Sequence, residues 1–178
     1  MLRGTPSTKT DVAALADIEG LAETAFGGDN GAPNGTSIAM LAEFGGASAL
    51  LAADAHAPVL VSSIKKLLAR RKARKLKLDL YKVSHHGSQN NVSSELIQLL
   101  DCSRYLVSTN GDHFYHPDRQ AMARIIAYGG KEKTLYFNYN NRLNDVWGDA
   151  ALAQVRKKYN YTTSYPAPDR PGTIVSLL

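Results

Sequence analysis

The chain reads as short apolar runs, some strand-like and some helical, separated by polar loops. TSIAMLAEFGGASALLAAD, residues 36–54, predicts two strands around a Gly45-Gly46 turn, because two turn residues between apolar runs are a hairpin signal. AHAPVLVSSIKKLLARRKARK predicts a helix that follows directly, with Pro58 in its first turn. Leu67, Leu68, Ala73 and Leu76 are the expected apolar stripe of that helix. LKLDLYKVS, 76–84, predicts a strand, and SSELIQLLD, 93–101, a helix capped by Ser93 or Ser94. SRYLVSTNG, 103–111, predicts another strand. A loop and a helix starting near Pro117 follow, with Asp118 at the helix N-terminus and Gly129-Gly130 ending it. TLYFNYN, 134–140, predicts a strand. NDVWGDAALAQVRKKY is helical or irregular, and PDRPGTIVSLL closes the chain as a last strand.

Upstream, residues 1–10 read as loose, 11–26 as a weak helix, and 27–35 as a loop dense in turn formers. The alternation of strand, loop and helix predicts an α/β layered architecture. The antiparallel hairpin makes its sheet mixed. Two regions follow: a flexible or remnant N-terminal segment, 1–33, and a structured unit, 34–178.

Composition narrows the class. The chain has 178 residues, 44% hydrophobic and 21% charged, which suits one globular domain with a real core. No apolar run is long enough to span a membrane, and the first twenty residues lack the apolar core of a secretory signal. The single cysteine, Cys102, rules out a disulfide within one chain and predicts a cytoplasmic location and a buried role. Net charge is +5, and eight of the 21 Lys and Arg fall within residues 65–77. Lys65, Lys66, Arg70, Arg71 and Arg74 form either a solvated helix face or a surface for nucleic acid. Tyr136, Phe137, Tyr139, Tyr159 and Tyr161 are either packing residues or stacking partners for bases.

The chemistry-bearing residues gather where strands end. ALLAAD ends at Asp54, LYKVSHH at His85 and His86, and LVSTNG runs into DHFYHP, with His116. In open α/β layouts, sites assemble at the carboxyl ends of strands. A carboxylate and imidazoles delivered there could share a metal such as Zn²⁺. The plain alternative is that Asp54 caps a helix and the histidines are loop residues.

These motifs also carry a resemblance. Asn34, Gly45-Gly46, Asp54, His85-His86-Gly87-Ser88 and Asn110 to His116-Pro117 together resemble the second half of a metallo-β-lactamase-fold hydrolase. The nearest type is the competence-protein hydrolase domain attached to bacterial DNA-uptake channels. The resemblance covers about residues 34–130. It implies the second αβ half of an αββα sandwich, with a mixed sheet and flanking helices. It further implies a site with two Zn²⁺ ions. In it Asp54 would bridge the metals and His86 would be the last histidine ligand. His85 and His116 would be catalytic groups at the oxyanion or leaving group. Ser88, Asn110 and His116 would touch substrate, a phosphodiester or nucleic acid.

Three departures qualify the expectation. The family's first half carries a His-x-His-x-Asp-His motif, which is missing here. The five histidines are His56, His85, His86, His113 and His116, and the 33 residues before Asn34 are too few for the missing strands. Ala53 stands where the family has Gly before the aspartate. The tail, 131–178, is longer and more aromatic than expected. The chain is therefore expected to be a partial hydrolase. It would need a missing N-terminal half or a partner subunit, with weak or absent metal binding and no activity alone. The alternative is a non-catalytic module, either structural or binding nucleic acid through residues 65–77.

Overall fold

A computed structural model describes residues 9–168, 170 and 172–177. It opens with α1 (Lys9–Ala14), α2 (Ile18–Glu23) and α3 (Ala32–Gly35). The segment expected to be flexible or a remnant, 1–33, is helical and packed over part of its described residues: Val12, Leu15, Ile18 and Ala22 are buried in the core. The hairpin then forms as the sequence predicts, with β1 (Met40–Phe44) antiparallel to β2 (Ala47–Leu51). Gly45 and Gly46 take φ of 58° and 89°, which the mirror-image hairpin turns require and which glycine adopts without strain.

Helix α4 (Ala57–Arg71) follows with Pro58 in its first turn and ends where Lys72 turns left-handed. Its buried residues are Ala57, Leu60, Val61, Ile64 and Leu68. The expected stripe is therefore corrected. The helix stops before Ala73, which is exposed, and Leu76 belongs to the next strand.

The strand expected over 76–84 is two strands, β3 (Leu76–Leu78) and β4 (Leu80–Lys82). Asp79 divides them, because its carboxylate accepts hydrogen bonds from the Ser48 amide (2.9 Å) and hydroxyl (3.2 Å). Helix α5 (Ser94–Gln98) is capped by Ser93, whose hydroxyl accepts from the Leu96 amide. Strands β5 (Leu100–Cys102) and β6 (Arg104–Val107) lead to α6 (Arg119–Tyr128). Then come β7 (Lys133–Phe137), α7 (Arg142–Asp145), two single 3₁₀ turns, α8 (Ala153–Tyr159) and β8 (Tyr161–Ser164). The expected closing strand over 168–178 is corrected: the last strand among the described residues is β8, and residues 172–177 pair in no sheet.

The fold is mixed α/β with a mostly parallel sheet and flanking helices. Six strands run in the order β1-β2-β4-β6-β7-β8, and β3 and β5 pair separately. From β2 onward every neighbour in the large sheet is parallel. Parallel crossovers are right-handed almost without exception, so a strand order that advances in one direction puts every crossover helix on the same face. Burial follows this rule. Leu50, Tyr81, Tyr105, Val107, Leu135, Phe137 and Tyr161 point into the core at 4% exposure or less. Their alternates Met40, Phe44 and Leu51 are 53%, 83% and 41% exposed, and Leu106 and Tyr136 are half-buried. Among the described residues, no helix layer covers the opposite face. Residues 172–177 cross part of it, with the Arg104 guanidinium donating to the Ser176 carbonyl at 3.1 Å. Parallel sheets are ordinarily covered on both faces, so this one is half-dressed.

Candidate functional site

The carboxyl end of β4 is built from consecutive left-handed residues. His85, His86 and Gly87 have φ of 43°, 56° and 88°. A side-chain-bearing residue in this region costs about 1–2 kcal/mol, so two adjacent histidines store strain that a plain loop would shed. The turn is held by the Ser88 amide donating to the His85 carbonyl at 2.9 Å. The His85 amide donates to the Ala53 carbonyl at 2.9 Å, joining this strand end to that of β2. Ala53 is left-handed too, with φ 47°. That is the conformation for which glycine is suited, at the position where the resembled family has it.

Gly87 is where the second motif docks. A Cβ there would lie 2.7 Å from the Pro117 Cβ, so only glycine lets the His116-Pro117 loop come this close. The Asp118 amide donates to the Gly87 carbonyl at 2.9 Å, and the Asp118 carboxylate accepts from the Gln89 amide at 2.7 Å. Burial pushes the Asp118 carboxyl upward, but His116 and the Gln89 amide outweigh it and hold it below the usual range. Asp118 precedes α6 as expected, yet its carboxylate bonds outside that helix.

Three imidazoles meet across this clamp. The His85 ring centroid is 6.1 Å from that of His86 and 5.6 Å from that of His116. The His86 Nδ1 lies 2.6 Å from the Ser108 carbonyl. A carbonyl only accepts, so Nδ1 carries a proton, and in the neutral ring the lone pair is then on Nε2. His116 Nδ1 is 3.4 Å from Asp118 Oδ1, badly aligned for a hydrogen bond, and is otherwise unpartnered although buried. His86, Ser108, Thr109, Asn110, His113, Phe114, His116, Asn138 and Tyr139 line a cavity of about 410 Å³. Phe114 is 73% exposed at its rim and lies stacked with His116 at 6.1 Å between centroids.

The remaining expected residues are distributed unevenly. Asn110 reaches the cavity, with its side chain turned to the Asp112 carboxylate at 2.7 Å. Ser88 is buried, and its hydroxyl accepts from the Asn90 amide, so it shapes the turn and does not line the cavity. Asp54 lies half-buried at the end of β2 and does not line the cavity either. Burial lowers the Lys82 ammonium, and Asp54 partly restores it. Among the described residues, no group of three His, Cys, Asp or Glu side chains is arranged to hold a metal ion.

On the basic segment, Lys65 pairs with Glu95 at 2.5 Å, and Arg71 makes a two-bond pair with Glu43 at 2.7 and 2.8 Å. Lys66, Arg70 and Arg74 are exposed. Of the aromatics weighed for stacking, Phe137 and Tyr161 are core, while Tyr139 is exposed beside the cavity. Cys102 is buried, and burial pushes its thiol up to about 12.

No protein-family model, curated protein or solved structure matches the chain. Two residues that build the site carry no sequence signal. Asp29 looked like one turn former among several. Its carboxylate accepts from the Gly31 amide, the Asn34 amide group and the Asn91 amide group, each at 2.8 Å. Burial raises the Asp29 carboxyl, but those donors and the nearby His56 bring it down to about 2. Asn91, beyond the HHGS turn, connects this carboxylate to His85, whose Nδ1 is 2.9 Å from Asn91 Oδ1 and 3.6 Å from Asp29 Oδ2. A pairing across 62 residues is invisible to local pattern.

Proposed function

We propose that this chain is the C-terminal αβ half of a metallo-β-lactamase-fold, metal-dependent hydrolase acting on phosphodiesters, with nucleic acid as the favoured substrate class. It is catalytically incomplete without a partner half. The observation that carries the reading is the one-sided sheet. The face away from the helices exposes Met40, Phe44 and Leu51 of the β1–β2 hairpin, while the strained HHGS turn and the HP loop meet at the carboxyl ends of its central strands. A second αβ layer would cover that face and bring further ligands to the same edge.

The residues present do not make a zinc site by themselves. A zinc centre takes at least three protein ligands, and no cluster of three donors exists among the described residues. The two Zn²⁺ ions of a complete site would draw most of their ligands from the partner half, with Asp54 and His86 as this chain's contribution. What this chain supplies by itself is a cavity of mixed lining. His116, Asn110 and Asn138 line it beside the free Nε2 of His86, and such groups can orient a phosphate.

The test is the reading frame upstream of the Met1 codon, followed by assay of the longer protein. An in-frame His-x-His-x-Asp-His within a half-domain, and zinc-dependent phosphodiesterase activity lost in His86→Ala and Asp54→Ala, would support the reading. An upstream stop codon, with no separately encoded half that restores activity, would overturn it.

A second reading, a nucleic-acid-binding module, draws on exposed Lys66, Arg70 and Arg74. The pairing of Lys65 and Arg71 with acids weakens that face. Salt-sensitive oligonucleotide binding, lost on charge reversal at those three positions but not in Asp54→Ala, would select it.

A further inference from the structure

His85 is fixed by a chain of forced donor and acceptor roles. Asn91 is fully buried, and its Nδ2 faces three acceptors: Asp29 Oδ2 at 2.8 Å, the Asp54 carbonyl at 3.1 Å and the Ala55 carbonyl at 3.4 Å. Carbonyls accept only, and the Asp29 carboxyl, held near 2, is an ionised acceptor at neutral pH. This end of the Asn91 side chain is therefore its NH₂ group, and the other end is the carbonyl oxygen. That oxygen lies 2.9 Å from His85 Nδ1. An amide oxygen cannot donate, so the ring nitrogen must.

We propose that Asn91, anchored by Asp29, is a positioning residue that locks neutral His85 as the Nδ1–H tautomer and leaves the lone pair on Nε2, in a ring packed edge-on against His116. The proposal rests on the reading of His85 as a site residue, which gives the lock its purpose. A neutral imidazole in this state takes a proton or a cation at Nε2 and donates nothing there. Together with His86, it makes the pair two acceptor nitrogens, each set by an oxygen behind its ring. Stabilising a negative oxygen then passes to His116 and the amide groups of the cavity.

The experiment is a two-bond ¹H–¹⁵N spectrum of the ¹⁵N-histidine-labelled chain at pH 8, without metal or substrate. The wild type is expected to show a protonated Nδ1 and a bare Nε2 at His85. Asn91→Leu is expected to move His85 toward the opposite tautomer and to leave His86, held by Ser108, unchanged. A wild-type His85 protonated at Nε2 would overturn the proposal, as would an Asn91→Leu spectrum identical to wild type at His85. The wild-type spectrum decides even if Asn91→Leu does not fold. It is also independent of activity, so failure of the hydrolase reading would leave it unchanged.

Discussion

Arg124→Met should destabilise the chain strongly although Arg124 does not line the cavity. Arg124 is 1% exposed in α6. Its Nη1 donates to the Gln89 and Val92 carbonyls at 2.7 and 2.8 Å, and its Nη2 to the Thr24 carbonyl at 2.9 Å. Nε makes a longer bond to the Ala22 carbonyl at 3.4 Å, and the guanidinium lies over the Phe26 ring. One side chain thus joins α6, the loop after HHGS and the N-terminal segment. Bonds from a charged donor are worth about 1.5–3 kcal/mol each, so the three short ones total about 4.5–9 kcal/mol before desolvation. Burying the cation opposes this, as its lowered pKa reflects. Arg124→Met removes the cation and leaves neutral carbonyls without their donor, at about 1–3 kcal/mol each, and about 4 kcal/mol is the expected loss here. At roughly 2–4 °C per kcal/mol for a chain of this size, the melting temperature falls by about 8–16 °C. Urea unfolding checks it: the midpoint should drop with the slope unchanged. A loss below about 1 kcal/mol at unchanged slope would refute the reasoning, because the carbonyls would then have found other partners without cost.

Three further outcomes follow from the site. Gly87→Ala forces a left-handed alanine against Pro117 and should destabilise by about 2–4 kcal/mol, with histidine spectra showing His116 released from His85. Ala53→Gly should instead stabilise, by about 0.5 kcal/mol in urea unfolding, since φ 47° strains alanine; a loss would show that the strand end is not strained. The Asp29 carboxyl lies at about 2 against an ordinary 3.8, so its contribution is full above pH 4 and fades as pH falls through 2. Asp29→Asn should cost about 1–2 kcal/mol at pH 7, discounted for screening near the surface, and should flatten stability between pH 2 and 4; a slope equal to wild type would sink the assignment.

Local chemistry made much of this fold legible. The Gly45-Gly46 hairpin, α4 and the Ser93 cap are fixed by residues within a few positions of each other, so period and turn chemistry located them. The break at Asp79 was not legible, because the acceptor's partner is Ser48, 31 residues away. The closing strand failed for a related reason: an apolar run can pair in a ladder or lie across a sheet face, and only the neighbouring strands decide. In the site, HHGS and His-Pro stood out as motifs. The left-handed backbone that brings them together did not, since three of its four residues are not glycine. The anchoring of His85 by Asn91 and Asp29 exists only in the folded chain.

The one-way strand order also sets a schedule for assembly. From β2 to β8, each strand in the large sheet adds beside the strand that precedes it there. Growth by addition at one edge needs no late strand to insert between two early ones. Loop closures stay short, and a nascent chain can dock each unit as it emerges. The strands that bear His85, His86 and Ser108 are interior members of this series, complete before α8 and β8 are made. Pulsed hydrogen exchange during refolding should therefore protect Tyr81 and Tyr105 amides no later than that of Thr162, which donates across to β7. Earlier protection at Thr162 would contradict that order.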